Sequence, residues 1–440
     1  MMTKKGFIDV VVGLQWGDEG KGKNIDALLA SGDYSGVARF NGGANAGHTI
    51  KLGDKTFVGH LVPSGGLQEN IELFIGNGVV VDPVSLTKEI FELKGLGFDV
   101  SERLYISNRA KLVSYTHPLL DAAEEHYKSK GGKSVGTTLR GIGPAYADSR
   151  ARRILTVGDI LAADFEEKEK ELSQYHANLL LMYKDKYGFE MPAGAEEKKK
   201  EWLDAVEKLK KLKILDVSAL IRERLQIGKN ILAEAAQGAM LDVDHGDYPN
   251  VTSSNSLPAN ASLGLGVPHT YLRNIYGVIK AYTTKVGGGA FPSRIRDEVL
   301  EKAFQDAGGE YGSTTGRRRM VGWLDIFALR YAIALSGVNK IFLNKADICI
   351  GEKVKVVTGY KSGNKVLKEF PLHLKDVTET ITEEMPGWGE KNYGVTEKSK
   401  VSPELLKYIN YIIDMLADLD VKIIAVGTGR EREHTIAWDK

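Results

Sequence analysis

Seven short apolar runs, each closed or interrupted by glycine or a small polar residue, constrain this 440-residue chain more than any other feature. They are IDVVVG (8–13), GVARFNGG (36–43), ELFIGNGVVV (72–81), NILAEAAQG (230–238), IYGVIKAYTT (275–284), NKIFLNKAD (339–347) and VKIIAVGTG (421–429). Several lack the apolar–polar alternation of a strand with one wet face, so they suit strands buried on both sides. Helical patterns lie between them, as in PVSLTKEIFELKGLG (83–97) and WLDIFALRYAIALSG (323–337). This alternation predicts an α/β fold: a large, mostly parallel, twisted central sheet with helices on both faces and ligands at the strand carboxyl ends. Residues 160–215 are charge-dense and glycine-poor and predict a helical insertion. Residues 350–400 are lysine-rich with short β-type runs and predict a small β-rich insertion. With no internal repeat or low-complexity linker, residues 1–440 are expected to form a single compound domain.

The formal net charge is +1, so no global field favours nucleic acid or an anionic membrane, and any anion site must be local. A single cysteine, Cys349, excludes an internal disulfide framework and a cysteine-rich zinc site. The N-terminus has no signal-peptide core, and no apolar run approaches the ~18 residues of a membrane span. The expectation is a cytoplasmic enzyme.

Four loops follow predicted strands and carry the chemistry. GLQWGDEGKGK (13–23) can cradle phosphate with backbone N–H groups and Lys21 at a helix N-terminus. It is not the standard P-loop, because six residues separate Gly13 from Gly20 and Gly22 follows Lys21. Asp18 in such a loop suits a Mg²⁺ ligand or a general base, or else merely caps a strand–helix turn. NGGANAGHT (41–49) offers close backbone approach and His48, either a proton donor in phosphoryl transfer or a structural imidazole. GSTTGRRRM (312–320) sets three arginines beside hydroxyls, as a carboxylate or phosphate site or as a solvated basic turn. NKAD (344–347) has the N-K-x-D form by which GTP-binding proteins read guanine. A GTP-dependent switch protein would explain NKAD but not His48 or TTGRRR. The lack of a G-x-G-x-x-G after a strand sets aside a dinucleotide oxidoreductase.

Taken together, QWGDEGKGK, NAGHT, IGNGVV, GTT-x-RGIGPAY, AQG-x-x-LDVDHG-x-YP-x-VTSSN, KAYTT and TTGRRR resemble the adenylosuccinate synthetase family, in its order and over nearly the whole chain. The resemblance implies GTP-dependent ligation of IMP and L-aspartate to adenylosuccinate, in AMP synthesis. It implies two steps: phosphorylation of the purine O6, then displacement of that phosphate by the aspartate amine. Asp18, His48, Lys21 and Gln237 would be catalytic, Asp18 as base toward the purine N1 and His48 as acid. Asn45, Thr138, Arg152, Gln237, Leu241, Thr252 and Val286 would surround IMP, with Arg152 reaching the neighbouring subunit of a homodimer. Thr314, Thr315, Arg317 and Arg319 would hold aspartate. Gly17, Glu19, Gly20, Lys21, Gly22, Gly47, His48, Thr49, Arg319, Lys345, Asp347, Gly427 and Gly429 would hold GTP. One Mg²⁺ per subunit is implied on Asp18 and the Gly47 carbonyl. The chain departs from the family pattern at Leu139, Asn250, EAAQG (234–238), NSLPANAS (255–262) and GTGRERE (427–433). Most of these lie around the acceptor, so a paralogue using the same chemistry on another 6-oxopurine nucleotide, such as dGMP, is the alternative reading.

Overall fold

The computed structural model describes residues 5–53, 55–132, 136–312 and 316–438, without the side chain at 52. Ten strands form the central sheet: β1 Ile8–Gly13, β2 Gly36–Arg39, β3 Glu72–Ile75, β4 Leu104–Ser107, β5 Lys213–Leu215, β6 Ile231–Gly238, β7 Leu272–Lys280, β8 Lys340–Asn344, β9 Lys422–Gly427 and β10 Thr435–Ala437. Their spatial order is β10-β9-β8-β7-β1-β6-β2-β3-β4-β5. All neighbours run parallel except the edge pair β9 and β10. β1 lies between β6 and β7, and the chain leaves it for β2 on one side only. Such a change of direction opens a crevice at the carboxyl ends of the central strands.

The unbroken apolar runs have a direct structural cause. Ile8, Val10 and Val12 of β1 join one buried cluster, while Val11 joins a second on the opposite face. Likewise Ile231, Ala233 and Ala235 of β6 face the first cluster and Leu232 the second. Both faces are dry, so neither register of the strand can be polar. The exception on β1 is Asp9, which is buried but accepts from Tyr34 Oη at 2.7 Å, Arg273 Nε at 3.0 Å and the Asn274 backbone at 2.9 Å. Burial alone would push its carboxyl up, yet these donors hold it below the usual carboxylate range.

Each expected run contributes a strand of the sheet, though some are shorter than the apolar pattern. GVARFNGG is strand only over Gly36–Arg39, and ELFIGNGVVV breaks at its glycines into Glu72–Ile75 and a separate pair at Val80–Val81. Strands β4, β5 and β10 add edge and near-edge pairings that the pattern did not suggest, because they span only three or four residues. Within 160–215, helices Phe165–Tyr187 and Ala195–Leu209 precede β5. Beyond β8, Lys353–Ser362 pairs antiparallel with Glu379–Pro386 and with Lys365–Val366. Helix Pro83–Gly95 starts where the Asp82 side chain accepts from the backbone N–H groups of Val84 and Ser85, with proline in the first turn.

Candidate active site

The strand carboxyl ends open into a cavity of about 2080 Å³. A pocket for one small molecule measures roughly 300–1,000 Å³, so this one has room for more than one ligand. At its centre, β1 runs into the loop 14–20 and then helix Lys21–Ala30. The backbone turns left-handed at Gly17 (φ 84°), Asp18 (φ 58°) and Gly20 (φ 88°). Gly20 offers no side-chain cap to the helix, which leaves first-turn N–H groups available to an anion.

The two acids of this loop do different jobs. Glu19 is fully buried beneath it and accepts from the Gln15 backbone at 3.2 Å, the Gly17 backbone at 2.9 Å and Lys21 Nζ at 2.8 Å. Its carboxylate fills the space a Cβ on Gly13 or Gly238 would need: such atoms would lie 2.2 and 2.5 Å from Glu19 oxygens. Glu19 therefore shapes the loop, and what it can show a ligand is backbone. Asp18 points the other way, onto the cavity wall, where its Oδ2 lies 2.7 Å from Arg319 Nε. Lys21 Nζ also donates to the Gln237 carbonyl at 2.6 Å, tying the loop to the end of β6.

His48 begins the hairpin strand His48–Leu52 and is paired through Nδ1 with Glu234 Oε1, in the middle of β6. Glu234 is fully buried and accepts from the Ser64 backbone at 2.8 Å and the Ser64 hydroxyl at 2.7 Å. Burial works against charge here, pushing the carboxyl up, but the His48 ring, the Arg39 guanidinium and the Ser64 N–H hold it at about 2. With Nδ1 committed to Glu234, Nε2 is the nitrogen left to His48 for the cavity that it lines.

At one end of the cavity, NKAD joins the phosphate-type loop. Asn344 Nδ2 donates to the Glu19 carbonyl at 2.8 Å and to Asn24 Oδ1 at 2.7 Å. Lys345 (φ 57°) donates through Nζ to the Gly308 carbonyl. Asp347 is buried, and its Oδ1 has no hydrogen-bond partner among the described residues. Burial pushes this carboxyl up. Gly429 lines the same end, and Lys23 Nζ donates to its carbonyl at 2.8 Å, with burial bringing that ammonium down to about 8. Gly427 stays behind the wall, accepting from the Ala346 backbone at 2.9 Å.

Beside the loop, Gln237 (φ 60°) lines the cavity, and both polar atoms of its buried amide lack partners among the described residues. Asn45 Nδ2 donates to Thr252 Oγ1 at 3.4 Å beside it. Thr138, Leu241 and Val286 complete this wall, while Gly22, Gly47 and Thr49 line the stretch near the loop. Arg152 (φ 63°) is exposed and does not line the cavity. Arg317 is also exposed, its Nη1 3.9 Å from where a Cβ on Gly136 would stand. Thr314 and Thr315 lie outside the described residues. Leu139 is 47 % exposed and left-handed at φ 54°.

Sequence reasoning assigned no role to Glu234 or Glu310. Glu310 is buried and joins Lys280, Tyr282 and Arg319, which hold its carboxyl at about 2 against the upward push of burial. The available signal was a charge inside an apolar strand: Glu234 in NILAEAAQG and Lys280 in IYGVIKAYTT. Among the described residues, one group of three could geometrically hold a metal: His117, Asp148 and His176. His117 Nδ1 accepts the Ser114 N–H at 2.8 Å, so Nε2 must donate to Asp148 at 3.1 Å, and the ring keeps no lone pair for a cation. The cluster instead packs helix Ile142–Arg150 against helices His117–Lys130 and Phe165–Tyr187.

An open helix N-terminus with its lysine, an N-K-x-D strand end and a doubly wound parallel sheet, all on one cavity, define a nucleotide-dependent α/β enzyme. A family model described as adenylosuccinate synthetase matches residues 10–436. The chain belongs to the adenylosuccinate synthetase family, ligases that join IMP and aspartate at the expense of GTP. It is 40 % identical over 430 residues to adenylosuccinate synthetase of Flavobacterium johnsoniae, covering 97 % of this chain and 99 % of that one. The solved, fully ligated adenylosuccinate synthetase of Plasmodium falciparum is 34 % identical with a TM-score of 0.90, covering 99 % and 100 % of the two chains. A cyanophage S-2L succinoaminodeoxyadenylate synthetase bound to dGMP and dATP shares the fold, with 19 % identity and a TM-score of 0.62 over 98 % and 95 % of the chains. The comparisons favour neither the dGMP paralogue nor the switch protein.

The Glu234 pairing gives the first prediction. Glu234→Gln removes the charge that orients and steadies the His48 ring while keeping the shape. The expected result is a folded protein whose kcat falls about a hundredfold or more, the scale of lost acid–base assistance. An unchanged kcat with the His48 ring NMR signals in place would refute a role for the pair.

Proposed function

We propose that the residues of this cavity carry the ligation in two steps, through a 6-phosphoryl-IMP intermediate. The single observation behind this reading is that one cavity is lined by both Asp347, whose buried Oδ1 has no partner among the described residues, and Gln237, whose amide has none among them either. An aspartate so placed suits the two N–H donors of guanine, and a free amide suits the oxygen and nitrogen edge of a purine acceptor. Asp18, Lys21 and His48 line the same cavity, and Lys21 is bonded to the Gln237 carbonyl.

In this reading the first-turn N–H groups and Lys21 bind the GTP phosphates. Asp18 takes the N1 proton of IMP, which makes O6 nucleophilic; His48, braced by Glu234, steadies charge as the phosphoryl group moves. Asn45, Thr138, Leu241, Thr252 and Val286 hold IMP. Thr314, Thr315, Arg317 and Arg319 hold the aspartate carboxylates, and Arg319 also approaches the GTP ribose. Glu19 serves GTP through its loop, the glycines at 17, 20, 22, 47 and 429 and Thr49 serve it from the cavity lining, and Gly427 backs the lining from behind by holding Ala346. Asp18 and Gly47 both line the cavity, and a carboxylate with a carbonyl is an oxygen donor set that suits Mg²⁺. When bound, the ion would neutralise phosphate charge. Arg152, exposed and turned from its own cavity, is read as serving the cavity of a second copy in a homodimer. No helix among the described residues is long and apolar enough to cross a membrane. A cytoplasmic location is part of the same reading.

The direct test supplies GTP and aspartate with either IMP or dGMP and follows the absorbance of the product. IMP is expected to be the acceptor, and Asp18→Ala to keep less than about a hundredth of wild-type kcat. Preference for dGMP, or activity retained without Asp18, overturns the assignment. For the nucleotide, Asp347→Asn offers a mixed donor and acceptor that suits the C2 carbonyl of xanthine rather than guanine. It should lose GTP activity by tens of fold, from bonds of ~1.5–3 kcal/mol to a charged group, and gain XTP activity. A GTP-to-XTP ratio of kcat/KM equal to that of wild type sinks the guanine pocket. For assembly, Arg152→Leu and Asp18→Ala proteins, each inactive, should regain activity when mixed, through hybrid dimers with one intact site. No recovery where exchange of subunits is demonstrated counts against the shared site.

A further inference from the structure

The Gly308–Glu310 turn stands where helix Glu298–Gly308 ends, and it touches two cations that line the cavity, Arg319 and Lys345. Glu310 Oε2 accepts from Arg319 Nη1 at 2.8 Å, and the Glu310 carbonyl accepts from the Arg319 backbone at 3.0 Å. Glu310 Oε1 accepts from the Tyr282 hydroxyl at 2.6 Å and from Lys280 Nζ at 3.2 Å, and lies 3.9 Å from Lys345 Nζ. Lys345 is bonded in turn to the Gly308 carbonyl. One carboxylate, 1 % exposed, thus faces three cations.

The two acids around Arg319 hold it unequally. Its Nη1 is aligned on Glu310 as a hydrogen bond, whereas its Nε lies 2.7 Å from Asp18 Oδ2 without hydrogen-bond alignment. We infer that Glu310 is a positioning residue: it fixes Arg319 for aspartate and Lys345 for the guanine base, and keeps Arg319 from closing fully onto Asp18. This rests on the reading above for what Arg319 and Lys345 bind. It adds that one buried group, touching no substrate, sets the geometry of both sites together. A preset guanidinium binds a carboxylate without the cost of ordering it at the moment of binding. Without Glu310 the guanidinium has Asp18 as its remaining anion, and aspartate must compete with it.

Glu310→Gln keeps the shape but strands the fully buried Lys280 ammonium, which can itself unfold a protein. The decisive protein is therefore the double variant Lys280→Met/Glu310→Gln, with a thermal melt to establish that it folds. Its KM values for aspartate and GTP should each rise roughly tenfold or more, the scale of losing a hydrogen bond to a charged group. KM for IMP should rise less than either, because the residues read as holding IMP do not include Arg319 or Lys345, and calorimetry should show GDP binding weakened in parallel with KM for GTP. A folded double variant with wild-type KM values for aspartate and GTP overturns the inference. An equal rise in all three KM values also overturns it, because that is general loosening. Arg319→Leu, run alongside, should raise KM for aspartate. If it does and the double variant does not, the Glu310 inference alone falls; if neither moves, the assignment of Arg319 falls with it.

Discussion

The fold of the phosphate-type loop depends on one buried carboxylate. Glu19 gathers two backbone N–H groups and the Lys21 ammonium from below, so the loop closes around a negative charge of its own. The cavity side is then left with outward N–H groups, an exposed helix start and Asp18. In a protein interior such a charge survives only when its donors are complete, and here they are. The requirement spreads to neighbours: Gly13 and Gly238 carry no Cβ because the carboxylate occupies that space, and Asn344 closes over the loop from β8. Loop, sheet centre and N-K-x-D strand end are therefore one packed unit.

From this unit the rest of the site is arranged by charge. Acidic groups sit deep and are satisfied by the protein, as with Glu19, Glu234 and Glu310, while Asp18 and Asp347 keep oxygen atoms facing the cavity. Each deep carboxylate holds at least one cationic or imidazole group that lines the cavity: Lys21, His48 and Arg319 respectively. The pattern pairs these three cavity-lining groups with an inward brace. It explains how a chain with a net charge of +1 concentrates so much opposite charge in one crevice without losing its fold.

Much of this was legible in the sequence, and the limits have physical causes. The sheet could be read because strands dry on both faces show unbroken apolar runs, as Val10, Val11 and Val12 do. The loops could be read because glycine and small polar residues gather at strand ends. The short edge strands at Lys213–Leu215 and Thr435–Ala437 carry too few residues to show a period. Glu234 and Glu310 were missed for a different reason. Glu234 meets His48 from 186 residues away, and Glu310 meets Arg319, Tyr282 and Lys280 from 9, 28 and 30 residues away, so no strand or helix period encodes either meeting. Arg152 is the opposite case: the family resemblance names it, while it does not line the cavity of its own chain.

Six non-glycine residues adopt left-handed backbone among the described residues, and five of them are Asp18, Leu139, Arg152, Gln237 and Lys345. For most side chains that conformation costs about 1–2 kcal/mol, and glycine would escape much of it. Laboratory evolution toward heat resistance would thus meet two kinds of position here. At Leu139, whose side chain is half exposed and off the cavity wall, glycine relieves strain and removes nothing the cavity uses. At Asp18, Gln237 and Lys345 the same relief deletes a group that lines the cavity, so under the proposed roles heat resistance and turnover pull in opposite directions. A screen that rewards survival of heating alone would drift toward inert proteins along those three positions, and counting both traits would separate them from Leu139.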